Sequence, residues 1–187
     1  MSKKFLFIAF IIPASLFFTG CDPDDPDPID PPELITTLNF TLTPDTGGTP
    51  VTMSFVDLDG DGGDSPMISE GVLDANTTYS GSIELLNELE SPAENITEEV
   101  EEEDEDHQFF FSSTTSSVVI DYADEDADGN PLGLSNTLTT GEPASGSITI
   151  ILRHEPDKFG TDVSDGVITN AGGETDIEVT FSVTVQL

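Results

Sequence analysis

The sequence predicts an all-β fold: a single immunoglobulin-like β-sandwich of about eight strands with one short acidic helix. Three observations carry that expectation. From Leu34 onward apolar residues recur at every second position, the period of a strand with one face in a core. The alternating runs are short and are parted by turns rich in Gly, Pro, Asp and Asn. Helix-start signals occur together at one place, near residue 91.

Taken in order, Leu38, Phe40 and Leu42 share one side of the first run, and Thr37, Asn39 and Thr41 the other. Val51, Met53 and Phe55 repeat the pattern, as do Tyr79, Gly81, Ile83 and Leu85. Segments 109–112 and 134–139 add two more runs, with Val118, Ile120 and Tyr122 between them and Ile148, Ile150 and Leu152 after. The last run is the clearest. Ile177, Val179, Phe181, Val183 and Val185 point inward, and Asp176, Glu178, Thr180, Ser182 and Thr184 outward. The helix is expected to start at Ser91-Pro92-Ala93-Glu94, which offers a cap, a proline at the first helical position and a Glu three residues on. It should run to about Val100 and fray in the carboxylates that follow, which the helix dipole opposes at that end.

The segment before Leu34 reads differently. Lys3 and Lys4 precede an apolar run over 5–18, a signal-peptide layout too short to span a bilayer comfortably. The run ends Phe18-Thr19-Gly20-Cys21, which resembles a bacterial lipobox with Phe18 where leucine is usual. Residues 1–20 are therefore expected to be a lipoprotein signal peptide, with Cys21 the lipidated (palmitate-type) residue of the mature chain. Cys21 is also the sole cysteine, so no intrachain disulfide can form. Residues 21–33 form the anchor and an acidic, Pro-rich stalk; at roughly 3.1 Å per residue, polyproline geometry would hold the domain ~35–40 Å from the lipid. Residues 34–187 form the sandwich. The acidic run after Cys21 resembles the export signal of Bacteroidota surface lipoproteins, which implies the outer membrane and the cell surface. Asp22 directly after the cysteine can instead mean retention at the inner membrane, and that alternative stays open.

Charge excludes one class of partner. The chain carries a formal net charge of −34, and two of its four cations, Lys3 and Lys4, lie in the signal segment. Arg153 and Lys158 alone face 38 carboxylates, so there is no basic footprint for nucleic acid. With no Trp and two Tyr, stacking platforms for glycans are also lacking. No nucleophile elbow, phosphate-binding glycine loop or H-E-x-x-H is present, and the expectation is a protein that is not an enzyme.

Three features could bind a ligand. Asp57, Asp59 and Asp61 in one loop match Asp124, Asp126 and Asp128 in another, each D-x-D-x-D-G after an aromatic residue at a strand end. Alternate carboxylates in a tight loop can converge on Ca²⁺, although Ile68 and Ser135 stand where an EF-hand needs its twelfth-position Glu. The alternative is a pair of Asp/Gly turns. Second, eight carboxylates in nine residues at 98–106 run into His107, either a solvated face or a cation-attracting rim. Third, Arg153-His154-Glu155-Pro156-Asp157-Lys158 holds the second histidine, which continues the inward phase of Ile148, Ile150 and Leu152. His154 is either a packed, ion-paired residue or part of a transition-metal or ligand site with His107, Glu155 or Asp157, with Arg153 a further ligand-binding candidate. Attraction between the tract and Arg153 and Lys158 is expected to bring the two imidazoles together.

The stretches 75–79, 85–88, 106–111, 152–156 and 169–176, among them Asp106-His107-Gln108-Phe109-Phe110-Phe111 and Leu152-Arg153-His154-Glu155-Pro156, resemble a group of Bacteroidota outer-membrane lipoproteins often encoded beside TonB-dependent receptors. The resemblance implies an accessory role at the outer membrane and names no cargo. The leading expectation, drawn from the residues above, is a lipid-anchored, non-catalytic binding module that captures a metal ion or metal complex for such a receptor. Asp157-Lys158-Phe159-Gly160 departs from the Asn-Lys-Ser continuation commoner in that group. The competing expectation is a structural or adhesive surface protein whose Asp loops take Ca²⁺ for rigidity.

Overall fold

The structure, a computed structural model, describes residues 33–60 and 63–187. Cys21, the signal segment, the stalk up to residue 32 and Asp61 lie outside the described residues. Among the described residues, eleven strands form two sheets. The larger contains β1 (Thr37–Pro44), β2 (Val51–Val56), β3 (Met67–Ile68), β5 (Thr78–Asn87), β6 (Glu94–Asn95), β8 (Val118–Tyr122) and β9 (Ser135–Thr140). Its order is β3-β2-β1-β5-β9-β8, with β6 also on β5. The smaller runs β4-β11-β10-β7, from β4 (Gly71–Asp74), β7 (His107–Ser113), β10 (Ala144–His154) and β11 (Glu174–Gln186). All pairings are antiparallel except β4 on β11. The all-β, two-sheet expectation holds. The division into seven and four strands differs from the four-plus-three of an immunoglobulin constant domain.

The period-two pattern explains why the sheets meet face to face. Leu38, Phe40 and Leu42 of β1 and Ile83 and Leu85 of β5 share one buried cluster with Ile148, Ile150 and Leu152 of β10 and Val179, Phe181 and Val183 of β11. The intervening polar positions stay outside, where Thr149 and Thr180 hydrogen-bond across strands at 2.8 Å. The three shortest strands, β3, β4 and β6, had no alternation long enough to mark them.

The helix corrects the sequence reading. It spans Ile96–Glu102 with Asn95 as its N-cap, several residues later than the Ser91-Pro92 signal predicts. Glu94 and Asn95 pair instead with the end of β5, and Asn87 Nδ2 donates to Glu94 Oε2 at 3.0 Å. Tertiary pairing thus takes residues that local signals assign to a first turn. Ile96 and Val100, one turn apart, bury against the core, and this packing holds α1 (Ile96–Glu102) in place. The last helical turn has no basic residue, and residues 103–106 form a turn leading directly into β7.

Candidate metal centre

At one end of the smaller sheet, β7 begins and β10 ends at the same level. Their antiparallel register places His107 directly opposite His154. Both are in the inward phase, His107 with Phe109 and His154 with Leu152, so both rings lie on the core face. The ring centroids are 4.8 Å apart. Strand pairing accounts for this proximity; the tract does dock beside 153–158, but Lys158 meets it at the Asp104 carbonyl and not at a carboxylate. Lys158 Nζ pairs with Asp126 Oδ2 at 2.8 Å, and Arg153 Nη1 donates to Thr175 Oγ1 at 2.8 Å and to the Gly173 carbonyl. The tract contributes backbone groups rather than carboxylates: the Asp106 carbonyl accepts from the Glu155 amide at 2.7 Å, and the Glu103 carbonyl, just past α1, sits 3.0 Å from His107 Nδ1. A carbonyl only accepts, so Nδ1 carries a proton, and Nε2 is the nitrogen that faces inward toward Glu33 and Asp176.

β11 supplies a third donor. Leu152 opposes Ile177, but Arg153 opposes Thr175, so the ladder steps past Asp176. Such a bulge re-aims the extra side chain. Asp176, expected outward, turns in, with a side-chain exposure of 0%. Gly173, immediately before β11, has φ of 67°, and a Cβ there would run into the His154 carbonyl. The close approach of the two chain segments therefore requires glycine at this corner.

The fourth donor is Glu33, read from sequence as the end of the stalk. Its Oε1 lies 3.0 Å from His107 Nε2 and its Oε2 3.7 Å from His154 Nδ1. Asp176 carboxylate oxygens lie 3.9 Å from His107 Nε2 and 3.8 Å from His154 Nδ1. One donor atom from each of the four residues falls within a 4.8 Å span. Among the described residues, this is the one group of three or more His, Cys, Asp and Glu gathered closely enough to hold a metal ion.

The chemistry of the set fits a cation. Glu33 Oε2 and both Asp176 oxygens are buried without a hydrogen-bond partner, which is costly unless something satisfies them. Two donors bound to one ion at about 2.0–2.2 Å can be at most ~4.4 Å apart. Tetrahedral donors around one such ion stand ~3.3–3.6 Å apart, so the widest pair would draw in by roughly 1 Å to close the group around it. Two carboxylates neutralise a divalent charge, and the two imidazoles favour a transition metal over Ca²⁺ or Mg²⁺, which prefer oxygen.

Proton affinities register the crowding. Burial and the neighbouring Glu33 charge push Asp176 up from 3.8 to about 6, against the pull of the two histidines. Burial works against a charged His107, but the Glu33 contact, the Glu103 carbonyl and the Asp176 charge together raise its pKa. Burial likewise works against ionised Glu33, yet His107 and its other partners hold its pKa below the ordinary value. The metal-free centre thus favours a protonated His107 paired with ionised Glu33.

The remaining sequence candidates lie elsewhere. Asp124 accepts from the Gly133 and Ser135 amides, both at 2.6 Å, and Asp126 from the Asp128 and Asn130 amides as well as from Lys158. Asp124, Asp126 and Asp128 therefore do not gather on a point, which corrects the convergent-loop expectation there. The physical reason is that the backbone amides of the turn, and Lys158, take up the carboxylate oxygens. Asp57 accepts from the Asp59 and Gly60 amides, and Asp59 from Asp64, again as turn-forming contacts. Glu155 is exposed, with φ of 49°, on the turn after β10; neither it nor Arg153 belongs to the four-donor group.

Glu33 and Asp176 are the donors that sequence reasoning missed. A bulge leaves no signature in an alternating pattern, and one Glu among a dozen stalk residues has nothing to mark it. No family model, curated protein or solved structure matches this chain.

Proposed function

We propose that this protein is a non-catalytic binding module whose ligand is one divalent first-row transition-metal ion, Zn²⁺ foremost, held by Glu33, His107, His154 and Asp176. The observation that carries the reading is the convergence of four donors whose buried oxygens have no other partner. Four protein donors with side-chain exposures of 0–10% also favour a closed site over a catalytic one, which keeps a position open for water or substrate.

The expected lipid on Cys21 would hold the module at a membrane surface, and the lipoprotein resemblance makes a TonB-dependent receptor its partner. Fatty-acid labelling tests the anchor: the parent should incorporate label and Cys21→Ala should not. Metal binding is tested by titrating the purified domain with Zn²⁺, Co²⁺, Cu²⁺ and Ca²⁺ and counting bound ions by elemental analysis. One equivalent of transition metal in the parent and none in His107→Ala/His154→Ala is the expected result. A parent that retains no transition metal after desalting refutes the reading.

A further inference from the structure

Three of the four donors belong to one rigid piece. His107, His154 and Asp176 stand on the adjacent strands β7, β10 and β11, and their spacing is fixed by the ladder. Glu33 comes from elsewhere: it precedes β1, which belongs to the other sheet. Among the described residues, the hydrogen-bonded ties of this leading segment begin at Thr36. Its amide donates to the Leu86 carbonyl at 3.0 Å and its carbonyl accepts from Asp57 at 2.8 Å. Leu34 is 57% exposed and has little apolar anchorage, whereas Ile35 packs against the core, so the weakly held part is Glu33 and Leu34.

A cleft of about 540 Å³ opens beside the centre, with Glu33, Leu34, Leu58, Leu89 and Asp176 among its lining. Glu33 and Asp176 belong both to this cleft and to the donor group. Glu33 and Asp176 thus form the boundary between the cleft and the two imidazoles, neither of which lines it.

Resting on the metal-binding reading above, we infer that Glu33 is the closing ligand: the ion enters and leaves through this cleft when Glu33 and Leu34 lift away, hinged at the packed Ile35. The three donors on β7, β10 and β11 are the fixed half-site. Glu33 closes over the ion and, in doing so, ties the segment before β1 to the opposite sheet. In a domain with no disulfide, the ion is then a cross-sheet link, and its retention is governed by the segment that continues toward Cys21 in the sequence.

The test measures Zn²⁺ release from the loaded full domain into excess chelator, together with hydrogen exchange at residues 34 and 35. Glu33→Ala and Glu33→Gln should still take one equivalent but release it more than about tenfold faster, a difference of roughly 1.4 kcal/mol in the barrier. Metal should protect the Leu34 and Ile35 amides in the parent and leave them unprotected in Glu33→Ala. His154→Ala, which damages the fixed half-site, should lose stoichiometric binding. Release at the parental rate from both Glu33 variants, or no metal-dependent protection at 34 and 35, overturns the closing-ligand inference while metal binding stands. Failure of the parent to bind Zn²⁺ overturns both.

Discussion

Replacing Asp176 by asparagine keeps the shape of the side chain and removes its charge, and the effect should reverse sign with metal. Without metal, the Asp176 carboxylate is buried close to ionised Glu33, and its pKa rises from 3.8 to about 6. At about 1.4 kcal/mol for each tenfold change in proton affinity, that rise corresponds to up to ~3 kcal/mol of destabilisation once the group is ionised. A raised carboxyl pKa means that the folded state binds the proton more tightly than the unfolded one. The associated stability is complete below about pH 4 and is lost as pH climbs through 6. In chelator at pH 8, Asp176→Asn should therefore melt above the parent, by roughly 6–12 °C if the full ~3 kcal/mol is recovered in a domain of this size. At pH 4 the two should converge. With Zn²⁺ at a hundred times its dissociation constant, the parent gains about 2.7 kcal/mol by linkage. The variant, lacking a charged donor, should gain much less. Differential scanning fluorimetry at pH 4, 6 and 8, with chelator or Zn²⁺, reads all of these values. If Asp176→Asn melts below the parent in chelator at pH 8, the carboxylate is favourably placed without an ion, and the electrostatic reasoning for a metal site fails.

Metal affinity should weaken as pH falls through the range where Asp176, near 6, and His107, raised above its ordinary 6.5, take up protons that the ion must displace. Calorimetric titration in buffers of different ionisation enthalpy should detect that proton release, and an affinity constant from pH 8 to pH 5 would contradict it. Lys158→Met should destabilise the domain by roughly 3 kcal/mol because it strands Asp126, whose side chain is 1% exposed; Lys158→Met/Asp126→Asn should recover much of that loss in urea unfolding. The contribution of the pair to stability should fade with acidification, since Lys158 and the turn amides, outweighing burial, hold the Asp126 pKa below its ordinary value. Asp124→Ala removes the acceptor for two amides at 2.6 Å and should cost about 1–3 kcal/mol, with no difference in that loss between millimolar Ca²⁺ and chelator.

Period-two alternation in β1, β5, β10 and β11 determined, from sequence alone, that this is an all-β protein with two sheets closing on one core. A side chain's face is set by its neighbours two residues away, and that information is local. The same phase placed His154 inward with Leu152. What brings His107 to it is the β7–β10 register, a pairing between segments some 40 residues apart that local pattern does not encode. Asp176 shows the limit more sharply: its phase reads outward, and a one-residue step in the β10–β11 ladder turns it in. The helix start moved for a similar reason, because pairing of Glu94 and Asn95 with β5 outweighed a local capping signal. Glu33 needed the tertiary fold most of all. Its carboxylate resembles every other in an acidic chain until the start of β1 sets it beside the end of the opposing sheet, where two imidazoles and a turned-in aspartate leave a charge to be filled.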